Sequence, residues 1–200
     1  MGNYNNYRQL EMLEQEGRDF AIHAREGFSG VAVIAPHGGG IEPGTMELAD
    51  AIAGEVHSFY CFEGIKRAEN ADLHITSDLF DEPRGVDIVE RSRAVIALHG
   101  CEGHEEAVYV GGLDTDLGEK IRVSLIQAGF NAEPSPRPEI QGQSEKNICN
   151  RCRSGKGIQL EISRGLRKSM FKDLTREGRK SRTTMFHTVV SVLRDVLSAG

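Results

Sequence analysis

His37, Glu42 and His99 are the three residues whose types and spacing point first to chemistry. In VAVIAPHGGGIEPGTMEL (31–48) an apolar run ends at His37, three glycines follow, and Glu42 opens a helix-like stretch. A glycine run lets the backbone turn sharply and approach a ligand closely. An imidazole nitrogen and a carboxylate oxygen can then converge on one point, where a zinc ion ~2.0–2.2 Å from each would suit both. AVIALHGC (94–101) repeats the pattern: an apolar run, then His99, then Gly100. If the two strands are neighbours, His99 lands beside His37. Two histidines and a glutamate leave a fourth position for water, the arrangement of catalytic rather than structural zinc. The alternative is a pair of strand-end histidines that make only backbone hydrogen bonds.

Glu161 is the candidate base. It sits inside the apolar strand of GIQLEISRGLRK (157–168), where a carboxylate is costly unless paired or functional. Next to an activated water it would act as general base and then as acid. Alternatively it pairs with Arg164 or Arg167. Arg164 offers a planar fork suited to a substrate carboxylate, and its alternative is a surface position at a helix start. His74, in DLHITS (72–77), would line the site if its strand ends nearby. His23, His57, His104 and His187 read as ordinary histidines. The cysteines at 61, 101, 149 and 152 read as free thiols, because a lone Cys149-x-x-Cys152 with no second pair is a weak metal or redox signal.

Around these residues the chain reads as α/β: a mixed, mainly parallel sheet between helices, in one domain over residues 1–200. VAVIAP (31–36), AVIAL (94–98) and GIQLEIS (157–163) read as buried strands. DFAIHARE (19–26), HSFYCFEG (57–64), DLHITS (72–77) and EAVYVGG (106–112) read as further strands. Helices are expected at 8–16, 43–54, 84–92, 113–129 and 181–200, and a proline-rich loop or lid at 131–144. No secretory leader or membrane helix is expected. The net charge of −6 is uneven. Residues 1–138 hold 11 Lys and Arg against 24 Asp and Glu, whereas residues 139–200 hold 13 against 6. The basic third suits an anionic partner, and no recognised nucleic-acid module is present.

PHGGGIEPGT, LHITSDLFDEP, VIALHGC, NICNRCRSGKGIQLEISRGLR and the closing helix follow one another in the order and spacing of a known family. From about residue 7 to its C-terminus the chain resembles the poly-γ-glutamate hydrolases carried by phages and prophages of bacilli. The resemblance implies a fold similar to the zinc carboxypeptidases, and an endo-hydrolase of γ-amide bonds that uses one zinc ion. It places His37, Glu42 and His99 on the zinc ligands and Glu161 on the late catalytic glutamate. GGGI puts four residues between His37 and Glu42 where carboxypeptidases have two, which argues against an ordinary carboxypeptidase. The implied substrate is a dense polyanion. Arg164, Arg151, His74 and Asn147 are the candidates for contacting it, with Arg153 and Lys156 beside them. The expected protein is a monomer with no nucleic-acid or membrane partner, made in the cytoplasm and acting outside the cell after host lysis. Two rival expectations remain: a zinc deacylase of small N-acyl-glutamates, and a non-enzymatic phage protein that binds nucleic acid.

Overall fold

Seven strands form one mixed sheet in the order β1-β3-β2-β4-β7-β5-β6, in a computed structural model that describes residues 3–198. The strands are β1 (Phe20–Arg25), β2 (Val31–Gly39), β3 (Ser58–Gly64), β4 (Ala94–Cys101), β5 (Ala107–Gly112), β6 (Asn131–Pro134) and β7 (Ile158–Ser163). The central strands β3, β2, β4 and β7 run parallel, while β1 and β5 pair antiparallel with β3 and β7. Every residue of β2 and β7 is buried. β2 opens on an unbroken apolar run because helices cover both faces of the sheet, whereas β7, IQLEIS, alternates and turns Gln159 and Glu161 to one face.

One face carries α2 (Thr45–Ala53), α4 (Thr115–Gln127) and α6 (Thr184–Ser198), with the short α5 (Arg164–Ser169) at its edge. In α6 the buried residues Phe186, Val189, Val190 and Leu193 recur at helical spacing. They join Val31, Val33, Ala35, Leu98, Leu160 and Ile162 in the larger apolar cluster. The other face carries α1 (Tyr7–Glu11) and α3 (Pro83–Arg91) over Ala32, Ile34, Val95 and Ala97. Glu82 caps α3 by accepting the Gly85 N–H at 2.8 Å, and Pro83 occupies its first turn.

The crossover α2 lies on one face and α3 on the other, so the strand order turns between β2 and β4. Open α/β sheets place their clefts beyond the carboxyl ends of strands at such a point. Those ends carry His37 and His99.

Three expectations are corrected. DLHITS is not a strand: Asn70–Leu73 form a 3-10 turn, and His74 follows in extended backbone. The first helix stops at Glu11 instead of running to 16. Met12 and Leu13 are 76% and 72% exposed, so there is no apolar stripe to hold a longer helix against the sheet. The proline-rich stretch is not wholly irregular. Asn131–Pro134 make the edge strand β6, parallel to β5, and Pro134 stands at its end. An edge tolerates the missing N–H. Ile148–Arg151 form a further 3-10 turn. Among the described residues, no helix is long and apolar enough to cross a membrane.

Candidate metal centre

His37 reaches the site through a bulge. β2 pairs Ala35 with Cys61 and then Gly38 with Glu63, three steps on one strand against two on the other. Strict alternation would turn His37 toward the α2 face, with Val33 and Ala35. The bulge resets the alternation, and His37 packs instead on the α3 face, 6.3 Å from the Phe80 ring. His99 reaches that face by plain alternation, since Val95 and Ala97 lie on it. Glu161 does too, since Leu160 and Ile162 point the other way. His99 and Glu161 are direct partners in the parallel β4–β7 register.

The glycines after His37 have a steric purpose. A Cβ at Gly38 would strike the Cys61 sulfur, and Gly39 has φ +66° with the Glu63 side chain against it. The chain therefore turns tightly over the end of β3, and the Glu42 N–H donates to the His37 carbonyl at 2.9 Å. That bond returns Glu42 to its own histidine. The β2–β4 ladder ends at Ile34 and Ala97. Beyond it the strands part, and the Glu42 carboxylate bridges the gap by accepting the Gly100 N–H at 2.9 Å.

Two ring nitrogens and the two oxygens of one carboxylate converge there. His37 Nδ1 lies 3.1 Å from His99 Nδ1 and 3.2 Å from Glu42 Oε1, and His99 Nδ1 lies 3.6 Å from Glu42 Oε2. Both histidines are nearly inaccessible, at 1% and 3% exposure. His37 Nε2 faces the Ile75 carbonyl at 2.7 Å, which can only accept, so this nitrogen carries the proton and Nδ1 of the neutral ring presents a lone pair. His99 Nε2 lies 3.5 Å from Ser77 Oγ, a hydroxyl that can donate or accept. A lone pair on His37, a second ring nitrogen and a carboxylate thus meet at one point, a set that suits a cation. A tetrahedral ion with bonds of ~2.0–2.1 Å has ligand-to-ligand edges of about 3.3 Å, which the observed separations bracket. The residues fit a zinc ion, and all three donor atoms lie within 4.8 Å of one another.

The electrostatics agree. Burial pushes the Glu42 carboxyl up, but the charges and hydrogen bonds of His37 and His99 outweigh it and hold it far below the ordinary carboxylate range. Burial depresses His99, and Glu42 then Glu161 more than reverse it. Glu161, 6% exposed, is raised above its ordinary value, first by burial. Gln159 Nε2 donates to its Oε1 at 3.0 Å, and Asn147 Nδ2 holds Gln159 Oε1 at 2.9 Å.

The other expected residues divide. His74 is at the cluster, its ring stacked on His37 at 3.9 Å and its Nε2 3.9 Å from Glu42. Burial and the neighbouring His37 lower its pKa to about 3. Asn147 stands two links back, behind Gln159 and Glu161. Arg151 is engaged elsewhere: its guanidinium donates to the Phe80 carbonyl at 3.1 Å and to Glu90 on α3 at 2.9 Å. Arg164 is a half-exposed residue facing Glu102 at 3.4 Å. Neither Arg164 nor Arg167 pairs with Glu161: Arg167 spends its donors on backbone carbonyls. All four cysteines are free and buried. Gln159 escaped the sequence reading, although its place two residues before Glu161 in an alternating strand is a usable signal. Ser77 and the Ile75 carbonyl had none.

Fold and site together define a doubly wound α/β protein with a candidate two-histidine, one-glutamate metal centre at its switch point. The chain belongs to the poly-γ-glutamate hydrolase family, whose profile matches residues 4–192. Among curated relatives from Bacillus subtilis (strain 168), it is 37% identical over 192 residues to the SPbeta prophage-derived protein YoqZ, covering 95% of this chain and 69% of that one. It is 41% identical over 170 residues to YndL, covering 84% of this chain and 66% of that one. A bacteriophage poly-γ-glutamate hydrolase structure superposes with a TM-score of 0.96 at 32% identity, over 100% and 98% of the two chains. A structure of YndL described as apo and zinc-free superposes with a TM-score of 0.94 at 36% identity, over 99% and 98%. An N-formylglutamate amidohydrolase from Ralstonia eutropha JMP134, at 11% identity, shares the fold alone, with a TM-score of 0.51 over 90% and 95%.

Proposed function

We propose that this chain is an endo-acting zinc hydrolase of the γ-amide bonds of poly-γ-glutamate. His37, Glu42 and His99 would hold one ion, and Glu161 would act as general base and acid. The observation that carries the reading is the convergence of two ring nitrogens and a carboxylate beside a buried carboxyl of raised pKa. The family assignment supports the substrate, and a relative's structure described as zinc-free supports the metal.

A zinc ion in this site would supply Lewis acidity for the amide carbonyl and for the attacking water. Glu161 takes the proton from that water as its oxygen bonds to the γ-carbonyl carbon. When the C–N bond breaks, Glu161 returns the proton to the departing α-amine. Gln159, braced by Asn147, keeps the Glu161 carboxyl oriented through both transfers. The carbonyl of Ile75 holds His37 in the tautomer that leaves Nδ1 free. His74 and Arg164 are the proposed contacts for substrate carboxylates: the first borders the cluster, and the second is exposed with only a loose partner. Arg151 and Asn147 have bracing roles instead. With prophage and bacteriophage relatives, the proposed setting is removal of host capsule polymer after lysis.

The test is purified protein incubated with high-molecular-weight poly-γ-glutamate, with chain length followed by size-exclusion chromatography. A fast fall in mean length, abolished by chelation and restored by zinc, supports the reading. Zinc-loaded protein that leaves the polymer intact overturns it. Small N-acyl-glutamates and then DNA are the next substrates and ligands to try.

A further inference from the structure

Arg167 is 2% exposed, and its charge lies behind the metal cluster. Its guanidinium makes three hydrogen bonds, all to backbone carbonyls and none to a carboxylate. Nε donates to Ile162 at 3.0 Å, Nη1 to Pro43 at 2.8 Å and Nη2 to Cys101 at 3.0 Å. These carbonyls come from three separate segments. Pro43 follows Glu42, Ile162 follows Glu161, and Cys101 stands two residues past His99. The β4–β7 ladder runs on to Cys101 and Ser163, but β2 leaves β4 after Ile34 and Ala97, so no ladder fixes the distance between Glu42 and the His99–Glu161 pair.

We propose that Arg167 is a positioning residue that sets the spacing of Glu42 from the His99–Glu161 pair by clamping the turn after β2 to the ends of β4 and β7. The inference rests on the proposed metal site for its consequence, though not for its geometry. A guanidinium suits the task because its donors lie in one rigid plane and point three ways, whereas an ammonium offers a single nitrogen. Gly100 makes room for it: a Cβ there would stand 2.6 Å from Arg167 Cζ. The same Gly100 donates its N–H to Glu42. Guanidinium, glycine and carboxylate therefore form one stack, and loosening the first releases the last.

The test uses Arg167→Lys and Arg167→Gln, with Arg194→Lys as control. Arg194 braces α6 to the Ile52 carbonyl of α2 and touches none of these segments. Amide hydrogen exchange of the metal-free proteins is read at Gly100 and at Ile96, in the middle of β4. Zinc affinity is read by chelator competition, and kcat and KM on the polymer. The expected result for both Arg167 variants is Gly100 exchange at least about tenfold faster with Ile96 unchanged, and zinc affinity about 10–100-fold weaker. A fall in kcat at nearly constant KM accompanies it, and the control stays at wild-type values. Gly100 exchange within about twofold of wild type in both variants overturns the proposal, as does equal acceleration at Ile96, which would mark a merely structural brace. If wild-type protein neither binds zinc nor cuts the polymer, the functional reading fails, while Gly100 exchange still decides the role of Arg167.

Discussion

Replacing Glu161 by glutamine keeps the size of the side chain and removes its ability to take a proton. The three metal donors are untouched, because Glu161 is not among the converging atoms. The new amide oxygen can still accept from Gln159, so the local hydrogen bond survives. On the proposed mechanism, what is lost is general base and acid catalysis, worth about 10²–10⁴ in kcat, or about 3–5 kcal/mol of barrier. Stability moves the other way. Burial raises the Glu161 carboxyl, so the folded chain holds that proton more tightly than the unfolded one. Its stabilising contribution is complete below the unfolded pKa and is lost as pH rises through the folded one. At neutral pH the buried carboxylate is a cost that glutamine removes. The Glu161→Gln protein should therefore lose at least about 10²-fold in kcat, bind zinc within a few-fold of wild type, and unfold without zinc at an equal or higher temperature at pH 7. Polymer cleavage by size-exclusion chromatography, chelator competition and scanning calorimetry measure the three. A kcat loss under about tenfold, or one that tracks zinc loss or unfolding, refutes the assignment.

His99→Ala leaves two donors and should weaken zinc binding by at least about 10²-fold in chelator competition, while His104→Ala, in the loop after β4, should not change it. Zinc at about 100 times its Kd should add about 2.7 kcal/mol of stability, read as a rise of several degrees in Tm that chelator reverses. In the metal-free protein the Glu161 carboxyl should titrate above the ordinary carboxylate range, because burial raises it, a shift that carboxyl NMR reads and that Glu161→Gln removes. Gly39→Ala forces a side chain into φ +66° against Glu63. It should cost on the order of 1–3 kcal/mol in denaturant unfolding and weaken zinc binding by shifting His37 from Glu42.

Much of the site was legible before folding because its cues are local. An unbroken apolar run ending in His-Gly marks a buried strand and its functional end, twice, and a glutamate inside an apolar strand is anomalous wherever it sits. The helix expected at 84–92 was legible in outline and begins one residue earlier, at Pro83, where Glu82 caps it. The segment around His74 misled because DLHITS has the composition of a strand, yet the sheet offers it no edge: β3 is already flanked by β1 and β2. The short β6 was hidden by Pro134, which an edge position permits, and by the prolines that follow it.

The sequence alone determined which side chains could do chemistry and that they end buried strands, since residue type and apolar runs are properties of the chain itself. Tertiary structure decided which of them meet. Period-2 alternation puts His37 on the wrong face, and only the bulge at Ala35–Gly38 returns it to His99 and Glu161. The parallel β4–β7 register sets Glu161 opposite His99, and Arg167 reaches three carbonyls that are distant in sequence. Register, bulges and such clamps depend on neighbours contributed by remote segments, so no local pattern encodes them.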